Sequence, residues 1–233
     1  MLKSLLAPLA LVLLQTPAPA PVAFTYRFDV VKHSVVRWPG GDAARAVKAA
    51  QGDVARSGDV VKTGWWGHAV LSVPERASRF ELYPSTQVRL AGGEPGVLVI
   101  LDRGRLKAIF DALAGGKPEE RRVAVSGALL AVRGTRYGVE VDKAGLSTLV
   151  VFKGVVEVIP RAAQVATSFV KAGQWAVFGP SMMPKVGPMG GRGFGEAAWD
   201  QGMRMDRSMM APGAMLPEGM HPGTGGATGP IMH

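Results

Sequence analysis

The chain has 233 residues, 47% of them apolar, and a formal net charge of +9, which allows one or two domains with a real core. With 0 cysteines it has no disulfides, thiolate metal sites, cysteine nucleophile or lipid-modified N-terminal cysteine. The basic balance favours anionic partners (phospholipid, anionic glycan or nucleic acid) without choosing among them.

Residues 1–20 read as a secretory signal peptide: Lys3, a short apolar run from Leu5 to Leu14, then the small-residue segment Ala18-Pro19-Ala20. The run is too short to span a bilayer comfortably, and no other stretch is long and apolar enough to do so. The mature protein is expected in the periplasm or outside the cell, with no transmembrane span, so nucleic acid is not an expected partner.

Residues 22–179 read as an all-β domain. Candidate strands are Thr25–Val31, Val35–Trp38, Val70–Val73, Arg79–Tyr83, Gln87–Leu90, Val97–Leu101, Arg105–Ile109, Arg122–Val125, Leu129–Val132, Gly138–Val141, Thr148–Phe152, Val155–Ile159 and Gln174–Phe178. Several alternate with period two, such as Phe80 and Leu82 against Arg79 and Glu81, which gives each strand one wet face. Turn signals separate them, among them Pro39-Gly40-Gly41 and Gly92-Gly93. Only Ala43–Ala50 reads as a short helix within this domain.

Leu98–Ile109 can be laid over Leu149–Ile159, with Arg103-Gly104 on Lys153-Gly154. A basic-Gly step between two strands marks a corner. Two such units point to stacked β-coils, a β-solenoid or roll.

Residues 180–233 are rich in Gly, Pro and Met and hold ten of the 11 methionines. With few branched aliphatics, this segment is expected to be a disordered low-complexity tail. One island, Glu196–Met210, can form a short helix bearing Trp199, Met203 and Met210.

The β region carries an ordered series of short motifs. They are Gly58-Asp59-Val60-Val61-Lys62-Thr63-Gly64, Phe80–Leu90 with Pro84-Ser85 at its centre, Leu101-Asp102-Arg103-Gly104-Arg105-Leu106, Val132-Arg133-Gly134-Thr135-Arg136-Tyr137-Gly138-Val139, Val151–Val158 around Gly154, and Val170-Lys171-Ala172-Gly173-Gln174. This series resembles the FecR-type domain family over roughly Val35 to Phe178. The resemblance implies a β-solenoid-like fold and a binding or sensing module. It does not extend to sigma-factor control: the regulator form has a cytoplasmic anti-sigma segment and a membrane span before this domain, and this chain shows a signal peptide there.

Gly58, Asp59, Thr63, Gly64, Gly104, Gly134, Thr135, Gly154 and Gly173 read as architecture. The glycines make corners, Asp59 caps exposed N–H groups, and Thr63 and Thr135 bond local backbone where a ladder is interrupted. The candidate binding surface comprises Trp65, Trp66, Arg133, Arg136, Arg105 and Lys107. Alternation would let one tryptophan pack inward while the other stays outside to stack on a sugar or anchor a protein; the commoner outcome is that both cover core or edge.

No catalytic residue is expected. His33 and His68 lack metal-ligand spacing, and there is no Gly-x-Ser-x-Gly, phosphate-cradling loop or nucleotide fingerprint. No cofactor is expected either. The leading reading is an exported, non-enzymatic module that binds an envelope protein or an anionic glycan or lipid surface. The alternative is copper handling by the tail through Met203, Met205, Met209, Met210 and His221, soft ligands suited to Cu(I).

Overall fold

A computed structural model describes residues 23–91, 93–113, 120–189 and 195–202. The chain is all-β. In order, the strands are β1 (Thr25–Lys32), β2 (Val35–Trp38), β3 (Val47–Lys48), β4 (Val54–Arg56), β5 (Val60–Thr63), β6 (His68–Val73), β7 (Ser78–Leu82), β8 (Gln87–Leu90) and β9 (Val97–Phe110). They continue with β10 (Arg121–Val125), β11 (Ala128–Val132), β12 (Arg136–Val141), β13 (Ser147–Lys153), β14 (Val155–Pro160), β15 (Ser168–Lys171), β16 (Gln174–Gly179) and β17 (Met182–Pro188).

The 17 strands form one curled sheet in which β9 belongs to both halves. One half runs β4-β1-β6-β7-β9-β12-β13-β16-β17. The other runs β3-β2-β5-β8-β9-β10-β11-β14-β15. Every pairing is antiparallel except β9 with β10.

The chain crosses from one half to the other at corners. The two basic-Gly steps noted in the sequence are both such crossings, with φ of 93° at Gly104 and 81° at Gly154. They run in opposite senses. Val99–Arg103 pairs with β8 while Arg105–Phe110 pairs with β7 and β12; β13 lies in that second half, whereas β14 returns to the first. Gly104 is irreplaceable on space as well as angle, since a Cβ there would lie 2.5 Å from Thr86 Cα.

Period-two alternation fixes which face is dry. Phe80 and Leu82 of β7, Leu106, Ala108 and Phe110 of β9, and Tyr137, Val139 and Val141 of β12 are all buried. With Val61, Val88, Val99, Val123, Leu130 and Val156 from the other half they form a single core. Phe80 meets Phe110 edge-on with centroids 5.7 Å apart, and Phe110 stacks on Tyr137 at 6.1 Å, a favourable aromatic chain across three adjacent strands. Tyr26 of β1 donates its hydroxyl to the Leu98 carbonyl of β9, tying the halves together.

Three expectations are corrected. Ala43–Ala50 is not a helix: Ala43–Arg45 makes a single 3₁₀ turn capped by Asp42, and Val47–Lys48 then pairs with β2. Val97–Leu101 and Arg105–Ile109 are one strand bent at Gly104. The sheet also continues beyond residue 179, because Met182–Pro188 pairs with β16. Pro184 is tolerated there because, among the described residues, β17 pairs with β16 alone and so has a free edge. Gly187 lies under the Trp175 ring, where a Cβ would come within 2.5 Å of Cζ2, and Trp175 Nε1 donates to the Pro188 carbonyl.

Residues from Met189 form a separate unit, of which the described part contains one short helix, α1 (Glu196–Asp200). The copper candidates Met203, Met205, Met209, Met210 and His221 lie outside the described residues, as does the segment 1–20. No helix among the described residues is long and apolar enough to cross a membrane.

Candidate functional site

Threonine hydroxyls hold successive corners together. Thr63, at the end of β5, donates Oγ1 to the Tyr83 carbonyl at 2.6 Å and accepts from the Thr86 amide at 2.9 Å. Thr86 repeats the pattern one corner on, donating to the Arg105 carbonyl at 3.0 Å and accepting from the Arg105 amide at 2.9 Å. Thr135 donates Oγ1 to the Val155 carbonyl, beside Gly154. Gly134 turns with φ of 57° and Gly173 with φ of 81°, both with open space where a Cβ would go. Asp59, following Gly58, accepts from Gly40 N at 2.8 Å, Arg56 N at 3.1 Å and Arg37 Nη1 at 3.0 Å. Its carboxylate is thereby committed to fixing the chain.

The turn after Thr63 is different in kind. The Gly67 amide donates to the Gly64 carbonyl at 3.0 Å, closing a tight turn with Trp65 and Trp66 at its two central positions. Strand alternation does not operate inside a turn, so neither indole points into the core. Trp65 is 76% exposed and Trp66 73%, which corrects the expectation that at least one packs inward or that both cover core or edge. The Gly64 amide donates to the Ser34 carbonyl at 2.8 Å, and Gly64 accepts from Ser85 N at 2.9 Å, so the turn is clasped on both sides. A Cβ on Gly67 would sit 2.2 Å from Ser34 O. Two neighbours, His33 and Ser85, adopt positive φ of 57° and 59°, backbone strain concentrated beside the turn.

The other predicted surface residues do not gather around the tryptophans. Arg105 and Lys107 face away from the core on β9, yet they are 5% and 6% exposed. Arg105 lies 3.9 Å from Glu140 and over the Tyr83 ring; Lys107 is 3.6 Å from Glu81, which also meets His68 Nε2 at 2.9 Å. Neither cation is offered to solvent. Arg136 is half-buried on the same face of β12.

Arg133 lies apart from them, exposed, on an open cleft of about 510 Å³ lined by Arg121, Arg122, Val155, Glu157 and Phe169. Arg121 there is structural: it donates to the Asp111 and Arg76 carbonyls and covers Phe110. Arg122 pairs with Glu120 at 3.0 Å.

Among the described residues no group of three or more His, Asp or Glu side chains could hold a metal. Burial raises the Tyr26 and Tyr137 phenols above their usual range, with Glu75 adding to the effect on Tyr26. The Tyr137 hydroxyl is buried without a hydrogen-bond partner.

No family model matches the chain. No curated protein matches it. Among solved structures it is similar to a protein described as a candidate anti-sigma factor from Parabacteroides distasonis ATCC 8503, in crystal structures at 1.65 Å and 2.50 Å resolution. In each case the TM-score is 0.49 and the sequence identity 16%. The match covers 61% of this chain, and 65% and 64% of the other.

Proposed function

We propose that this protein is an exported, non-enzymatic module of the FecR type, periplasmic or extracellular, that binds, senses or scaffolds in a bacterial envelope. We read the repeated crossings between sheet halves as turns of a β-roll whose rigidity serves display. The observation that carries the reading is the Gly64–Gly67 turn, where two large indoles are held in solvent by a backbone with no room to give. Exposed tryptophans on a fixed scaffold are the kind of group that dominates contact energy with a partner. Asp59, Thr63, Thr86 and Thr135, the polar residues of the motif series, are engaged in joining corners, which supports an architectural role for that series.

The test is retention of envelope material by the immobilised chain, compared with a W65A/W66A variant of equal thermal stability. Loss of retention in the variant is expected. Equal retention by both, or none by either, would sink the proposal.

A further inference from the structure

We propose that the Trp65–Trp66 turn is an interfacial anchor that seats this edge of the sheet on an anionic phospholipid surface. This rests on the binding-module reading above and names its partner.

Basic residues stand along the sheet edge beside the turn. Lys32, at the end of β1, is opposite His68, the residue that follows Gly67. Arg103 stands at the β9 corner, with Gly104 opposite Val141, and Lys143 lies in the hairpin that follows Val141. Lys32, Arg103 and Lys143 are all exposed. Strands pack about 4.8 Å apart, so from β6 to β12 this row spans roughly 15 Å. The carboxylates of the same edge are occupied by their own chain. Asp102 accepts from Arg89 at 2.9–3.3 Å, and Asp142 accepts from the Ala144 and Leu146 amides at 2.9 Å. Lys32, Arg103 and Lys143 outnumber Asp142, so the edge carries net positive charge beside two apolar rings.

That combination matches the headgroup region of an anionic bilayer. Indoles settle at the boundary between headgroups and acyl chains, where the ring is apolar and the N–H stays wet. Lys and Arg near the surface are attracted to anionic headgroups by about fivefold in affinity each, within a Debye length of about 8–10 Å. Both rings are largely exposed, as insertion requires.

The experiment is co-sedimentation of the chain from Pro21 onward, without the apolar leader that would itself enter bilayers. Vesicles of phosphatidylethanolamine with phosphatidylglycerol are compared with phosphatidylcholine alone. Binding to the anionic vesicles, with a blue shift of tryptophan emission, is expected. W65A/W66A should weaken it tenfold or more, and K32Q, R103Q and K143Q by about fivefold each. W65F/W66F should retain part of the binding at unchanged melting temperature. If anionic vesicles bind W65A/W66A as well as the unaltered chain, the anchor is wrong. If vesicles fail to bind while envelope extract is still retained through the tryptophans, lipid is excluded and the module reading survives. If neither is bound, both fall.

Discussion

Replacing Thr86 by valine tests the corner staples. Thr86 is fully buried at 0% exposure, and valine keeps its shape while removing the hydroxyl. The Arg105 amide loses an acceptor at 2.9 Å and the Arg105 carbonyl loses a donor at 3.0 Å. The carbonyl keeps Tyr83 N at 3.2 Å, so the larger penalty falls on the amide. An unpaired buried donor costs about 1–3 kcal/mol and a lost bond about 0.5–1.5 kcal/mol, giving roughly 2–4 kcal/mol in total. Against a domain stability of about 5–15 kcal/mol that is a large fraction. Urea unfolding followed by far-UV circular dichroism should show the midpoint falling by about 1–2 M at unchanged slope. T63V should cost a similar amount. Because the Thr86 amide donates to Thr63 Oγ1, the double variant should not be additive. A midpoint shift below about 0.3 M for T86V would refute the claim that these hydroxyls hold the corners.

G104A should be far more damaging than G134A in the same unfolding assay: both have positive φ, but only at Gly104 does the new methyl collide with backbone. About 1–2 kcal/mol is expected for G134A from left-handed strain alone, and at least twice that for G104A. Y137F should be neutral or stabilising, since it removes a buried hydroxyl without a partner, whereas Y26F should cost about 1 kcal/mol by deleting the bond to Leu98. Both phenols are held neutral by burial where the unfolded chain titrates near 10, so the stability they contribute is fully present below that pH and lost as pH rises above it. Y137F should soften the alkaline decline seen in a pH series of urea midpoints.

Much of the fold could be read from the chain because its strands obey period two. Phe80 and Leu82 or Val139 and Val141 declare a dry face wherever they are placed. The segments that escaped are those where pairing overrides local signals. Ala43–Ala50 has helix-forming composition but no buried stripe beyond Ala49, so Val47 and Lys48 go to β2 instead. Val60–Thr63 sits inside a glycine-bounded motif that advertises turns, and Met182–Pro188 carries proline and glycine that conceal an edge strand; the placement of Gly187 under Trp175 is visible only once register is known. For the site, Arg105 and Lys107 do face away from the core, but period-two alternation says nothing about whether that face is open, and it is closed. It misled at Trp65 and Trp66 because a tight turn obeys a different geometry from a strand.

The most direct measurement places a photoreactive benzoylphenylalanine at position 65 and irradiates the chain with envelope membranes. Adducts to lipid or protein are predicted from position 65, well above those from position 54, an exposed strand residue 48% accessible in the natural chain. Equal yields from the two positions would mean that the tryptophan turn meets nothing, and the account of a display scaffold would fail.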